Sequence, residues 1–285
     1  MNATEGFIDV SGGKVWYQKI GEKGAPLVVV HGGPGYPHDY LEPLGDLADE
    51  HTVIFYDQLG CGNSERPANR ALWTVNGFTQ ELQTVITALK LDTYFVLGQS
   101  WGATLAVSHA LNKPKGLKGI ILANPYISSP HWEKDAARLI RKLSWRDRWA
   151  LWRSKVGTTA FEVAKQHYYD RFVYGMKDLP EPCNRSGEKM NTGMYRYMWG
   201  PTEFIITGTL KNFNLVPRLN EISLPTLFLC GRYDEATPEA CGYFASLMQN
   251  AKVKILENSA HHAHWTQRQE YLAIVREFIG AQLYS

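Results

Sequence analysis

The order in which short apolar runs and helical patterns follow one another most constrains how this chain can fold. Runs rich in β-branched residues predict strands at residues 7–10, 14–19, 27–30, 52–56, 94–97, 119–122, 226–229 and 253–256. Helical patterns separate several of them, at residues 79–89, 103–111, 238–248 and 269–279. Strands that alternate with crossover helices build a mostly parallel sheet with helices on both faces. A hairpin joins the first two strands.

The alternation of strands and helices stops after residue 125 and resumes near residue 224. The segment between is helical and rich in aromatic residues, and its SWRD motif at residues 144–147 resembles a capping box that begins a helix. We therefore expect a helical cap, residues 126–213, inserted between two parts of one core, residues 1–125 and 214–285. A chain of 285 residues is long enough for one large core with an insertion.

Composition and charge exclude several classes of protein. An apolar content of 44% with 20% charged residues is that of an ordinary globular protein, and no apolar run approaches the ~20 residues that span a bilayer. The first six residues lack the basic and apolar regions of a signal peptide, so a cytoplasmic location is expected. The four cysteines have no metal-like spacing and are expected to be reduced thiols.

Nothing in the charge distribution indicates a nucleic-acid or membrane partner. The formal net charge is only +2, which gives no general attraction to polyanions. Lysines and arginines do cluster between residues 138 and 155, but they interleave with leucines and tryptophans. This pattern is typical of a solvated helix face. The sequence makes no prediction about oligomeric state.

The segment 94–103 predicts a catalytic nucleophile. An apolar strand runs into the G-x-S-x-G motif at residues 98–102, and a helix of small residues follows. This combination is the nucleophile elbow, in which a sharp turn exposes the serine hydroxyl at the carboxyl edge of the sheet. The two glycines allow the helix to pack closely on the strand. We therefore predict that Ser100 is the nucleophile.

A glycine-rich loop, HGGPG at residues 31–35, follows the predicted strand 27–30. Acyl transfer generates an oxyanion, and backbone N–H groups fixed in advance are its strongest single stabiliser. Proline has no N–H group, so Gly32, Gly33 or Gly35 can donate in this loop. The second donor is expected to be the Trp101 amide, directly after the nucleophile.

Two later strand ends supply the predicted acid and base. Asp234 follows the strand at 226–229 and can orient an imidazole, and residues 257–264 form the loop after the last strand. Of the histidines in that loop, His261 is the predicted base and His262 the alternative. No carboxylate or cysteine completes a metal-ligand pattern with these histidines, so we expect no metal. The chain order serine, aspartate, histidine is that of the α/β-hydrolase fold.

With these residues assigned, the chain resembles the prolyl iminopeptidase family of α/β-hydrolases along nearly its whole length. The matching motifs are HGGPG (31–35), DQLGCGNS (57–64), GQSWG (98–102), MWGPTEF (198–204), TGTLK (207–211) and GRYDEATP (231–238). The motifs of the cap and the tyrosine-aspartate-glutamate sequence at 233–235 are the most specific. The resemblance implies a serine exopeptidase that needs no cofactor.

The resemblance also implies a role for particular residues. In that family a glutamate of the cap and the glutamate after the catalytic aspartate bind the substrate's α-ammonium group, and these positions are Glu203 and Glu235 here. Tyr195 lies in the same family-like segment and is expected to line the pocket. Gly33 and Trp101 are the implied oxyanion donors. Paired carboxylates are physically reasonable, because a cationic amine that enters a partly dry pocket must be compensated for its desolvation.

Some positions depart from the family's commonest pattern. Gln99 stands where many members have glycine, Ala103 replaces a second glycine, and Ala260 replaces a serine. These changes remove no catalytic group, but because of them the resemblance does not imply strict selection of proline. We expect release of an N-terminal proline or small apolar residue from short peptides through an acyl-enzyme. The alternatives are an amidase or esterase acting on amino-acid derivatives with a free amine, and a non-catalytic ligand-binding member of the fold.

Overall fold

A computed structural model describes residues 2–283, and their strands form a single eight-stranded sheet. In chain order the strands are β1 (Ala3–Val10), β2 (Gly13–Ile20), β3 (Pro26–Val30), β4 (Thr52–Tyr56), β5 (Tyr94–Gln99), β6 (Leu117–Ala123), β7 (Thr226–Gly231) and β8 (Ala251–Leu256). Their order across the sheet is β1-β2-β4-β3-β5-β6-β7-β8. Strand β2 pairs antiparallel with β1 and with β4, and all other pairs are parallel. The predicted fold class is confirmed.

The helices follow the predicted alternation with the strands. They are α1 (Val75–Ala88), α2 (Trp101–Leu111), α3 (Ser129–Ile140), α4 (Trp145–Arg153), α5 (Thr159–Tyr169), α6 (Glu181–Glu188), α7 (Thr192–Met198), α8 (Pro238–Ser246), α9 (Ala263–Thr266) and α10 (Arg268–Leu283). Helices α1, α2 and α8 pack on one face of the sheet. Helix α10 and a 3₁₀ segment, His38–Asp49, pack on the other.

Alternation along the central strands separates the two cores. In β3, Val28 and Val30 belong to the core under α1 and α2, whereas Leu27 and Val29 belong to the core under α10, and all four are fully buried. Strands buried on both faces in this way are typical of parallel sheets. The carboxyl ends of the parallel strands meet at one edge, so the loops after them bring their side chains together there.

Helices α3 to α7 lie between β6 and β7, where the sequence predicted a helical insertion. The chain segments that enter and leave this region pair through an isolated bridge between Ser128 and Asn214. Helix α6 is tied to the 3₁₀ segment because Asp39, which is buried, accepts from Arg185 at 2.7 Å and from Lys189 at 2.9 Å. The exact boundaries of the cap, 126–213, stay a prediction.

Helix α4 presents an exposed basic face. Ser144 caps it by accepting from the Asp147 amide at 3.1 Å, as the SWRD motif predicted. The arginines of α4 are exposed, and so are its three tryptophans, Trp145, Trp149 and Trp152. Within residues 2–283 no helix is both long and apolar enough to cross a membrane.

Candidate active site

Ser100 occupies a strained turn between β5 and α2. Its backbone has φ +54° and ψ −117°, a region that side-chain-bearing residues rarely adopt. A Cβ atom at Gly98 would lie 2.2 Å from the Gly102 carbonyl, and one at Gly102 would lie 2.0 Å from the Val30 carbonyl. Only glycine therefore allows α2 to pack against β5 and β3 at this point. The turn leaves Ser100 at the wall of a cavity.

His261 lies in the loop after β8 and contacts Asp234 in the loop after β7. The His261 Nδ1–H donates to Asp234 Oδ1 over 2.7 Å, and both side chains are buried. The carboxylate can only accept, so this bond places the ring's Nε2 lone pair away from Asp234, free to take a proton. His261 lines the same cavity as Ser100. The Ser100 hydroxyl makes no hydrogen bond to any other residue of the 2–283 range.

The other two histidines of this loop are engaged elsewhere. His264 Nε2–H donates to the Tyr40 carbonyl over 2.9 Å, and burial lowers the pKa of His264 to about 3. The His262 ring stacks on Tyr40 with centroids 5.7 Å apart, and burial also lowers its pKa well below the usual value. Of the three, the structure brings only His261 into contact with Asp234.

Asn124, at the end of β6, is a part of this arrangement that the sequence analysis missed. Its side-chain Nδ2 donates to Asp234 Oδ2, and its backbone is held at φ +49°. The backbone N–H of Asn124 also donates to the Leu229 carbonyl over 2.7 Å. With His261 and the Ala236 amide, which donates over 2.9 Å, Asp234 accepts three hydrogen bonds. The available signal was an asparagine directly after a buried strand and before a proline.

In the glycine loop after β3, Gly33 lies beside Ser100 in the cavity wall. The Gly32 amide already donates to the Tyr40 hydroxyl over 2.8 Å. Gly33, at φ +106°, lines the cavity together with Ser100. Gly35 instead lies against Asn191 of the cap. The Trp101 amide belongs to the first turn of α2, where N–H groups have no acceptor within the helix.

Hydrogen bonds of His31 and Gln58 hold this loop in place. Burial lowers the pKa of His31 to about 4, so the ring is neutral, and its Nε2 accepts from the Gln58 amide over 2.9 Å. The Nδ1–H of His31 then donates to the Gly32 carbonyl over 3.0 Å. The Gln58 side chain accepts from the Trp101 indole N–H over 2.9 Å. These bonds connect the glycine loop to the first residue after the nucleophile.

Glu203 and Glu235 lie in the wall of the same cavity as Ser100. Glu203 Oε1 accepts from the Tyr195 hydroxyl over 2.7 Å. Both oxygens of Glu235 are buried without a hydrogen-bond partner among residues 2–283, and the Tyr168 hydroxyl is near but outside hydrogen-bond geometry. Burial raises the pKa of Glu203, and burial together with the charges of Glu203 and Asp234 raises the pKa of Glu235 well above its usual value.

The cavity around these groups has a volume of about 210 Å³. This is below the roughly 300–1,000 Å³ of typical small-molecule pockets, so it suits a single small residue. Beyond the residues described above, its wall is largely aromatic and apolar, and includes Tyr36, Tyr40, Tyr169, Val173, Tyr174 and Met190.

Within the described range, one group of side chains has metal-like spacing: His38, Asp39 and Glu42. These side chains already have partners. Arg185 forms ion pairs with both Asp39 and Glu42, and His38 Nδ1 contacts Asp57 at 2.8 Å. Their arrangement is therefore accounted for by structural contacts between the core and α6.

A serine on a strained strand-to-helix turn, with its aspartate and histidine on later strand-end loops, is the arrangement that defines the α/β-hydrolase class. Residues 25–267 match the family model described as the alpha/beta hydrolase fold. This match covers most of the chain, including every predicted site residue.

Individual relatives identify the family within this class. The chain is 42% identical to the proline iminopeptidase of Heyndrickxia coagulans, with 98% of this chain and 99% of that protein covered. It is 34% identical to the proline iminopeptidase of Saccharolobus solfataricus, with 100% and 94% covered. The crystal structure of the Mycobacterium smegmatis proline iminopeptidase superposes with a TM-score of 0.93 at 31% identity, covering 98% of each chain. The chain belongs to the proline iminopeptidase family.

Proposed function

We propose that this protein is a serine exopeptidase that releases the N-terminal residue of short peptides, with a preference for proline or a small apolar residue. The observation that carries the proposal is the pair of carboxylates, the half-buried Glu203 and the buried Glu235, in the wall of the cavity that also contains Ser100. The family's activity, known from the names of relatives that match over their full length, agrees with it.

The electrostatics of this pair favour a cationic ligand. A buried carboxylate without hydrogen-bond donors is unstable as an anion, which is why the pKa of Glu235 is raised so far. A substrate ammonium group placed between Glu203 and Glu235 would supply the missing positive charge and N–H donors. We infer that both carboxylates are ionised in the substrate complex and that they recognise a free α-amine.

The position of the amine determines which bond is cleaved. The cavity is small, at about 210 Å³, and Glu235 directly follows Asp234 in the chain. An amine bound by the carboxylates would therefore leave room for only one side chain before the scissile carbonyl reaches Ser100. This geometry supports removal of a single N-terminal residue, and Tyr195 supports it by orienting Glu203.

The proposed chemistry is acyl transfer through a covalent intermediate. His261, oriented by Asp234, takes the Ser100 proton as the hydroxyl oxygen attacks the carbonyl carbon of the first residue. The Gly33 and Trp101 amides stabilise the oxyanion. His261 then gives the proton to the leaving amine, and the peptide bond breaks. Water, deprotonated by His261, hydrolyses the resulting ester and restores Ser100.

A panel of chromogenic substrates tests this proposal. Prolyl, alanyl and leucyl p-nitroanilides, prolinamide and N-acetyl-prolyl p-nitroanilide would be compared by kcat/KM. We expect the free prolyl and alanyl anilides to be cleaved and N-acetylation to abolish cleavage, because it removes the positive charge. Efficient cleavage of the N-acetylated substrate would contradict amine recognition. Cleavage of prolinamide but of no peptide would favour the amidase alternative.

Two further predictions belong to this proposal. The partners are expected to be short peptides or amino-acid amides with a free N-terminus. The cytoplasmic location is supported by the cysteines, since all four are buried free thiols, as a reducing compartment would keep them. Fractionation of cells that produce the protein, with activity assayed in each fraction, tests the location.

A further inference from the structure

Tyr40 connects the glycine loop to the residue before the nucleophile. It lies in the 3₁₀ segment His38–Asp49, is 1% exposed, and lines the cavity. Its hydroxyl accepts from the Gly32 amide over 2.8 Å and lies 2.5 Å from Gln99 Oε1. A phenol has a single proton, so this proton must be donated to Gln99. The two bonds therefore have a fixed direction, from Gly32 to Tyr40 to Gln99.

The backbone of Tyr40 extends the connection to the loop of the proposed base. Its carbonyl accepts from His264 Nε2 over 2.9 Å and from the Trp265 indole over 2.7 Å. Its amide donates to Ser186 Oγ of the cap over 2.8 Å. One residue thus contacts the glycine loop, the nucleophile elbow, the histidine loop and the cap.

The hydrogen bond to Gly32 fixes the peptide that precedes the proposed oxyanion donor. A Cβ atom on Gly32 would lie 2.8 Å from Gln99 Oε1, 2.9 Å from the Tyr40 hydroxyl and 3.2 Å from Ser100 Cβ, so the loop passes very close to the elbow here. The Gly32 N–H already donates to Tyr40, so the next N–H in the loop, that of Gly33, is the one left for the substrate. Oxyanion donors act by being held in place before the reaction.

We propose that Tyr40 is a positioning residue of the oxyanion hole, and that its hydroxyl holds Gly32 so that the Gly33 amide is presented to the developing oxyanion. This inference rests on the proposed function, in which Gly33 is a donor. Removal of the hydroxyl would leave the Gly32 amide and Gln99 Oε1 without their partner, and the loop would lose its fixed orientation. Complete loss of one oxyanion donor costs roughly 10²–10³ in kcat, so a misplaced donor is expected to cost about 10- to 100-fold.

The test compares Tyr40→Phe with Tyr94→Phe. Tyr94 is also 1% exposed, and its hydroxyl is hydrogen-bonded to His109 over 2.8 Å, at the start of β5 and away from the cavity. Each variant loses one buried hydroxyl; Tyr40→Phe loses two hydrogen bonds and Tyr94→Phe loses one. The readouts are kcat and KM for prolyl p-nitroanilide, the inhibition constants of prolinal and prolinol, and the melting temperature. Prolinal forms a tetrahedral adduct with an oxyanion, whereas prolinol binds only through its amine and ring.

We expect Tyr40→Phe to lower kcat about 10- to 100-fold and to raise the inhibition constant of prolinal by a similar factor. The inhibition constant of prolinol and the KM should stay within about 3-fold of wild type. Tyr94→Phe should change none of these kinetic constants by more than about 3-fold, whatever its effect on melting temperature. If Tyr40→Phe weakened the binding of prolinal and of prolinol by the same factor, Tyr40 would only shape the pocket. Wild-type kinetics in that variant would also overturn the proposal.

Gln99→Leu provides a second test that does not depend on the folding of Tyr40→Phe. This variant removes the acceptor of the Tyr40 proton but retains the bond from Gly32, so its loss in kcat should be smaller. The double variant should lose clearly less than the product of the two single losses, because both residues act through one chain of hydrogen bonds and only the contact of Gln99 Nε2 with the His261 carbonyl, at 3.4 Å, is independent of Tyr40. Additive losses would contradict the connection. If wild type failed to cleave the prolyl substrate or to bind prolinal, the proposed function itself would be wrong.

Discussion

Replacing Glu203 by glutamine removes one negative charge from the proposed amine site and little else. The Glu203 carboxylate accepts from the Tyr195 hydroxyl over 2.7 Å, and the amide oxygen of glutamine can accept the same bond. The side chain is isosteric, so the cavity should keep its shape. Glu203 is also a cleaner target than Glu235, because Glu235 neighbours Asp234 and its replacement could disturb His261.

The size of the effect follows from the charges that surround the amine. Two unit charges about 4 Å apart interact by about 4 kcal/mol at the effective dielectric constant of ~20 that suits partly buried pairs. Removal of Glu203 also relieves its repulsion with Glu235, which reduces the net loss. We therefore expect about 2–4 kcal/mol, the lower part of the roughly 2–5 kcal/mol lost when one partner of a buried charge pair is truncated. This corresponds to a loss of about 30- to 1,000-fold in kcat/KM.

The assay compares prolyl p-nitroanilide with a small neutral ester, p-nitrophenyl acetate. The ester uses Ser100, His261 and the oxyanion donors but carries no amine, so Glu203→Gln should hydrolyse it nearly as wild type does. The prolyl substrate should lose the full factor. N-acetylation of the prolyl substrate should abolish its cleavage by wild type and by the variant, because it removes the positive charge that both carboxylates are proposed to bind.

Glu81→Gln is the matched control for this experiment. Glu81 is a buried carboxylate of α1 that accepts from the Leu59 amide over 3.1 Å and lies outside the Ser100 cavity. The same substitution there should leave the ratio of the two activities unchanged. Equal losses of anilide and ester activity in Glu203→Gln would refute the reasoning, because Glu203 would then support general catalysis or folding instead of amine recognition.

Three further predictions follow from the geometry. Ser100→Ala should remain folded and lose about 10⁴-fold or more in kcat, so turnover above a tenth of wild type would exclude Ser100 as nucleophile. His261→Ala should be as damaging as Ser100→Ala and His262→Ala much milder, and the reverse order in single-turnover rates would assign the base to His262. Burial raises the pKa of Glu81 from 4.5 to about 8, so native protein keeps a proton that unfolded protein loses, and the free energy of unfolding should fall as pH rises between those values. Glu81→Gln should remove this slope in urea titrations, and a stability difference between variant and wild type that is the same at pH 5 and pH 8 would contradict it.

The sheet could be predicted from the sequence because periodicity and motif context are local signals. All eight predicted strands are present, and Ser100 lies on the turn that the G-x-S-x-G motif indicated. Helix boundaries were less accurate. Helix α1 begins at Val75 instead of residue 79, because Thr74 caps it by accepting from the Gly77 amide over 2.9 Å. The glycine in its first turn hid the start of the helix from the propensity pattern.

The groups that support the site could not be predicted, because their contacts join distant parts of the chain. Asn124 reaches Asp234 across 110 positions, and Tyr40 reaches Gln99 across 59. Neither contact leaves a periodic pattern in the sequence, and Asn124 also needs a positive φ that an asparagine tolerates. Helix α4, in contrast, could be interpreted from its own segment. Its basic residues interleave with tryptophans, which predicted a solvated face, and Trp145, Trp149 and Trp152 are 67%, 57% and 75% exposed.

Under the proposed function, the adjacent residues Asp234 and Glu235 would let one loop serve both catalysis and recognition. Asp234 accepts three hydrogen bonds, including that of His261, so its charge is stabilised within the protein. Glu235 is also buried, but its carboxylate accepts no hydrogen bond from any described residue, so its charge would be stabilised only by an external cation. Because the two side chains leave successive positions after β7, a substrate amine bound to Glu235 would lie at a fixed distance from His261, which Asp234 orients. The separation of Glu235 from His261 would then place the cleaved bond one residue away from the bound amine.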